Sequence, residues 1–221
     1  MALILNIDSS MQESSVSIAR EGSMLQHLTN SSQKDHAAFL HVAVKELISA
    51  KGIKMADLDA VAVTSGPGSY TGLRVGFAAA KGLSYALRKP LISISTTETM
   101  AASVQMLYPD GDYYCPMIDA RRDEVFTATY DRKLNEIKAP HAMIVNESSF
   151  NFLHEPAQVY FFGNGSWQWE KFSKKISNYF PETGNVYTAM AALSQKYFSE
   201  NKFADIKYSV PLYGKEFYTH G

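Results

Sequence analysis

The densest run of residues able to do chemistry is Thr64-Ser-Gly-Pro-Gly-Ser-Tyr-Thr-Gly-Leu-Arg-Val-Gly76. It follows an apolar strand pattern, Leu58 to Thr64, and opens a helical one, Thr71 to Leu87. Gly66 and Gly68 permit a tight reversal with positive φ, Pro67 stiffens it, and Ser69 or Thr71 can cap the helix. Unpaired backbone N–H groups at a helix start form an anion site. A plain strand-to-helix turn without a ligand explains the same residues, and on local chemistry alone it is the stronger reading. No Lys follows the glycines, which argues against a Walker-type phosphate loop.

Two aspartates close short apolar runs, Asp8 after Leu3–Ile7 and Asp119 after Tyr114–Ile118. Asp8 is followed by Ser9 and Ser10, Asp119 by Ala120, Arg121, Arg122 and Asp123. The histidines offer less. His36 and His41 are five apart, which sets them about 140° from each other on a helix, too far for one metal. His27, His141, His154 and His220 are scattered. No metal site and no cofactor are expected.

These residues need elements to position them, and the patterning supplies them. Leu3–Ile7, Ser15–Arg20 and Met24–Thr29 read as a three-stranded meander, Gln33–Ala50 as a helix with Asp35 as N-cap, and Leu91–Ser95 as a strand after Pro90. A strong turn signal at Pro109-Asp110-Gly111 precedes a repeat of the opening. Tyr114–Asp119, Glu124–Tyr130 and Leu134–Lys138 again read as strands, and Asp119 stands 111 positions after Asp8 (119 − 8). Val159–Phe162 reads as a strand and Thr188–Asn201 as a helix, with Ala189, Ala192, Leu193 and Tyr197 on one face. The tail from Tyr208 to Gly221 has no assignable pattern.

The bulk properties narrow the class. With 46% hydrophobic and 19% charged residues the chain has the composition of an ordinary globular protein. A formal net charge of −1 gives no global field to attract nucleic acid, so any RNA contact must come from a local patch or a partner. Cys115 is the single cysteine, so no internal disulfide forms and a Cys-rich zinc site is excluded. With no basic leader and no apolar run long enough to span a bilayer, the expected location is the cytoplasm.

The duplicated plan, an Asp-ended strand and two hairpin strands followed by helix and strand, resembles the actin-like ATPases and sugar kinases. This resemblance implies an α/β fold of two actin-like ATPase (ribonuclease-H-like) lobes, with mixed sheets and flanking helices. The lobes are expected at 1–108 and 109–221, with the last helix or tail crossing back. In that plan the two Asp-ended hairpins hold nucleotide phosphates and magnesium, which makes Asp8, Ser9, Ser10, Gly66, Gly68, Asp119 and Arg121 a candidate nucleotide or anion site. The Arg121–Arg122 pair stands where such a loop wants small residues, so ATP turnover is not expected.

The second helix carries more apolar surface than one sheet can cover. Arg74, Lys81 and Arg88 fall on one stripe, and nearly everything else is apolar or small. Gly72, Gly76 and Ala80, spaced by four, permit close helix approach. On the first helix Phe39 and Val42 lie away from the Leu40/Val44/Leu47 face. Mutual packing of the two helices and a subunit interface explain this equally well. The interface reading names Phe39, Val42, Leu73, Gly76, Phe77 and Ala80, with Ala80 on an outer sector.

The runs SGPGSYTGLRVGFAAAKGL, ILNIDSS and IDARRDEVF together resemble the TsaB (YeaZ) family, from Leu3 to about Tyr130. The resemblance implies an inactive relative of TsaD that joins TsaD and the ATPase TsaE. That complex places a threonylcarbamoyl group on the adenosine beside the anticodon of tRNAs reading ANN codons. It also implies that the first two helices pair with their TsaD equivalents, that tRNA is met indirectly, and that a homodimer can form when the chain is alone. The His-x-x-x-His metal pair of TsaD has no counterpart here. The alternatives are a small-molecule kinase or ATPase, which the second loop opposes, and a metallopeptidase, which the histidines oppose. Beyond general layout the C-terminal half matches no pattern, and Pro211-Leu-Tyr-Gly-Lys-Glu departs from the family's usual ending.

Overall fold

The structure, a computed structural model, describes residues 2–32, 36–154, 156–173 and 177–214. Asp35, expected as a helix cap, and His220 lie outside them, as does the side chain of His36.

Strands β1 (Leu3–Asp8), β2 (Ser14–Arg20) and β3 (Ser23–Asn30) form an antiparallel meander. Its second turn, Glu21-Gly22, has positive φ at both residues (51° and 77°), the geometry that matches strand twist in a tight hairpin. Helix α1 (His36–Ala50) then leads to β4 (Ala60–Thr64), which runs parallel to β1. Helix α2 (Tyr70–Leu87) returns the chain to β5 (Leu91–Ile94), parallel to β4. The sheet order is β3-β2-β1-β4-β5. Alternation sends Leu5, Ile7, Val16, Ile18, Val61 and Val63 to one apolar core. There they meet Leu40, Val44 and Leu47 of α1 and Phe77 and Ala80 of α2.

Helix α3 (Thr96–Gln105) precedes a second sheet. Strands β6 (Tyr113–Asp119), β7 (Glu124–Asp131) and β8 (Glu136–Ile144) repeat the meander. After them come β9 (Val159–Phe162), the short α4 (Trp167–Glu170), β10 (Asn178–Tyr179) and α5 (Val186–Ser199). The order β10-β9-β6-β7-β8 copies that of the first sheet. The expected strand Leu134–Lys138 is displaced. Leu134 sits in a turn at φ 62°, and β8 continues through Pro140 to Ile144. An edge strand tolerates a proline because its outer N–H needs no partner, and the register with β7 shifts nearby, around Thr127–Tyr130.

One row of tyrosines crosses four of the five strands of the second sheet. Tyr130 of β7 pairs with Tyr114 of β6, Tyr114 with Tyr160 of β9, and Tyr160 with Tyr179 of β10. Tyr160 stacks on Tyr114 at 5.7 Å and on Tyr179 at 5.0 Å. Such cross-strand pairs pin register, because a one-residue slip would send every ring to the other face. On the opposite face Cys115, Met117, Phe161 and Trp169 share a core. Full burial pushes the Cys115 thiol up to about 12, against a weaker opposing hydrogen bond with Thr129.

Two compact units result. The first comprises Met1–Thr96 together with Tyr187–Leu212, and the second is built on Thr97–Val186. Nearly all of α3 therefore belongs to the second unit, and α5 with the segment after it to the first. Among the described residues no helix is long and apolar enough to cross a membrane.

Candidate functional site: the glycine-rich turn and the first helix pair

The turn between β4 and α2 is folded against the loop that follows β1. Ser69 caps α2, its hydroxyl accepting from Gly72 N at 3.3 Å. Ser69 N–H donates to the Ser10 carbonyl at 2.6 Å, and the Ser9 hydroxyl donates to the Gly72 carbonyl at 2.7 Å. A Cβ at Gly68 would collide with the Ser10 carbonyl, one at Gly72 with the Ser9 carbonyl, and one at Gly76 with the Ser9 hydroxyl. Glycine is needed at these three positions because the chain's own loop lies against the helix.

Asp8 organises that loop. Its Oδ1 accepts from Ser10 N at 2.9 Å, from the Ser10 hydroxyl at 2.7 Å and from the Thr64 hydroxyl at 2.8 Å. Asp8, Ser9, Ser10 and Gly68 are thus brought together, whereas Gly66 meets Leu212 and Leu73. The donors of Ser9, Ser10 and Ser69 named above, however, are spent on internal acceptors. The loop also carries Glu13, whose Oε1 accepts from the Tyr187 hydroxyl and whose Oε2 accepts from the Ser31 hydroxyl at 3.2 Å. Burial first, then the Glu13 hydrogen bond and the charges of Glu13 and Asp8, raise the Tyr187 phenol well above its ordinary range. His27 stacks on the same ring at 4.8 Å. With Asp8 and Glu13 on it, the loop favours a cation over an anion. Glu13 and Tyr187 were not legible as a pair, since 174 positions separate them.

Asp119 and Arg121 belong to the second unit. Asp119 N donates to Asn164 Oδ1 at 2.9 Å, and Asp119 Oδ1 accepts from Arg121 N at 2.9 Å. Arg121, Arg122 and Asp123 all adopt left-handed backbone, with φ of 63°, 55° and 61°. Ala120 N to Glu124 O at 2.9 Å closes this tight turn, and the three residues are exposed at its tip. Each non-glycine residue there carries a backbone cost. The turn thus has the shape of a glycine loop without the glycines. Among the described residues no three His, Cys, Asp or Glu side chains converge to hold a metal.

The helix pair needs correction. Leu73 and Ala80 are fully buried and Phe77 is 2% exposed, all within the first unit, and Gly76 faces Ser9 and Ile7. Ala80 is in the core beside Phe77, not on an outer sector. Helical projection gave the apolar arc correctly but not which part of it the sheet and α1 cover. Phe39 is half-buried against the core, whereas Val42 is 63% exposed. The outward row of α2 is Tyr70, Arg74, Ala78, Gly82 and Tyr85, the last 78% exposed. Arg74 holds Tyr70 from above, donating to its hydroxyl at 2.9 Å. Small residues between two tyrosines leave room for another helix to approach closely, and on α1 Ala38 and Val42 are exposed as well.

A family model described as TsaD, tRNA N6-adenosine threonylcarbamoyltransferase, matches residues 24–211. Curated relatives carry the name tRNA threonylcarbamoyladenosine biosynthesis protein TsaB. The chain is 35% identical to the Bacillus subtilis protein over 130 residues, 59% of this chain and 56% of that one. It is 27% identical to the Escherichia coli protein over 218 residues, 95% of this chain and 93% of that one. The chain belongs to the TsaB (YeaZ) branch of this family. Its fold agrees: YeaZ from Pseudomonas aeruginosa superposes with a TM-score of 0.80 at 21% identity, covering 96% of this chain and all (100%) of that one. A more distant likeness, TM-score 0.52 at 8% identity over 91% of this chain and 98% of that one, is to the Acidaminococcus fermentans (R)-2-hydroxyglutaryl-CoA dehydratase component A. The architecture is that of the actin-like ATPases.

Proposed function

We propose that the chain is a non-catalytic subunit in tRNA threonylcarbamoyladenosine biosynthesis. In this reading it binds and activates TsaD, together with the ATPase TsaE, for transfer of the threonylcarbamoyl group to adenosine beside the anticodon of tRNAs reading ANN codons. It meets tRNA through the complex and works in the cytoplasm. The observation that carries this reading is the self-filled loop of the first unit. Ser9 and Ser10 occupy the start of α2, where a nucleotide-using relative needs open donors, and two carboxylates make the loop a poor host for phosphate. An arm without evident chemistry is best explained as a structural partner, and the exposed row of α1 and α2 is its natural contact. When no partner is present, the same row serves pairing of two copies.

The decisive experiment is co-expression with the TsaD of the same genome. A stable complex through size exclusion is expected, with threonylcarbamoyl transfer requiring both chains. Full transfer by TsaD and TsaE without this chain, or phosphate release from ATP by this chain alone at ordinary enzyme rates of ~1 per second or more, overturns the reading.

A further inference from the structure

The glycine-rich turn has a second occupant besides the β1 loop. The segment from Phe203 to Leu212 follows α5 without forming a helix of its own, yet three contacts fasten it within the first unit. Ala204 bridges Leu91, its N–H donating to the Leu91 carbonyl at 2.8 Å. The Lys81 ammonium, on α2, donates to the carbonyl of Ser209 at 2.9 Å and reaches that of Lys207 at 3.4 Å. Leu212 N–H donates to the Ser65 carbonyl at 2.7 Å, immediately before Gly66. Gly66 itself, at φ 108°, has no space for a Cβ because the Leu212 carbonyl fills it. Between these points Asp205 shapes the segment, its Oδ1 accepting from Lys207 N at 2.7 Å and from Tyr208 N at 2.9 Å.

We propose that the glycine-rich turn is a seat for the chain's own C-terminal strap, and that Lys81 is the positioning residue that fastens the strap along α2. A lysine is suited to this because its ammonium can donate to two carbonyls at once from a long stem. The strap in turn holds the turn's backbone at Ser65 and Gly66, so it restrains the first turns of α2 in addition to the β1 loop. The absence of a side chain at Gly66 then has a cause other than phosphate approach: it makes room for a carbonyl supplied by residue 212.

Amide hydrogen exchange on the full-length chain tests this, comparing wild type with Lys81→Met, Lys81→Arg and Leu212→Pro. Lys81→Met keeps the apolar stem and removes the donor. It should raise exchange at Leu212 and in the first turn of α2 about tenfold or more, while β1 amides at Leu5 and Ile7 stay as in wild type. Lys81→Arg should restore most of the protection. Leu212→Pro, which removes the N–H at the seat, should loosen the first turn of α2 to a similar extent. Unchanged exchange at Leu212 in Lys81→Met overturns the proposal. So does a rise shared equally by β1, which would mark a loss of overall stability and not of the strap's seat.

Discussion

The hydroxyl of Tyr187, in the first turn of α5, donates a hydrogen bond to the carboxylate of Glu13 in the loop after β1. One contact therefore joins α5 to the loop that fills the start of α2. It also fixes the Glu13 carboxylate, which accepts from Tyr187 on one oxygen and from Ser31 on the other.

Tyr187→Phe keeps the ring and its stack on His27 and removes the donor. A hydrogen bond to a charged acceptor contributes about 1.5–3 kcal/mol when well shielded, and this half-buried one should contribute about 1 kcal/mol. The thermal midpoint should fall by about 2–4 °C. The pH dependence has a definite sign. Because folding raises the phenol's pKa, its share of stability is full below pH ~10 and is lost as the pH climbs toward the folded value. Denaturant titrations should show wild type losing stability above pH ~10 more steeply than Tyr187→Phe.

Val42→Glu and Ala80→Glu separate the outer face of the helix pair from the inner. Val42 is largely exposed, so Val42→Glu should leave the free chain's midpoint within a few degrees. If TsaD covers this face, the same charge is trapped without a partner and weakens the complex by several kcal/mol. Calorimetry with near-normal affinity would place the contact elsewhere. Ala80→Glu should instead fail in the free chain, visible as loss of the cooperative transition, because it buries a carboxylate among Phe77 and its neighbours.

The Cys115 thiol should be inert in the folded protein. It is fully buried with its pKa pushed up to about 12, so thiolate is scarce near neutral pH and the sulfur is out of reach. A disulfide-exchange reagent should react with less than one thiol per ten chains over minutes in buffer, and with one per chain in denaturant (single cysteine). Fast stoichiometric reaction in buffer would contradict the packing of β6.

Asp123→Gly should stabilise the second unit. Asp123 is the third consecutive left-handed residue in the turn between β6 and β7, at φ 61° and exposed. Glycine adopts that backbone freely, and removing the steric cost should add about 1 kcal/mol. A midpoint rise of about 2–4 °C is the expected reading, and a fall would mean the aspartate side chain contributes more than its backbone costs.

Where residues carry a local period or a fixed backbone need, the sequence announced the structure. The strand pairs whose first strands end at Asp8 and Asp119, the α1 face of Leu40, Val44 and Leu47, and the Ser69 cap all follow from spacing. Helix α3 did not show, because Thr97, Thr99, Met100, Ala101, Ala102, Ser103 and Val104 are buried with no polar stripe to set a period. At the candidate site, the glycines were legible as close approaches, but not what approaches them. Ser9, Ser10 and Leu212 are chosen by tertiary packing, as is the sector of α2 that holds Ala80.

The return of α5 to the first unit bears on how the molecule is made. A ribosome delivers Thr96 and then 91 more residues (187 − 96) before Tyr187 exists to bond Glu13. At about 5–20 residues per second, the N-terminal sheet waits about 5–18 s in the nascent state without its last helix and strap. The second unit needs nothing beyond Val186 from its main segment, so it can close while the first is still open. The first unit is therefore begun first but waits for α5 and the strap, and its sheet, with all five strands made and that helix still missing, is the stretch on which a nascent-chain chaperone or protease would act.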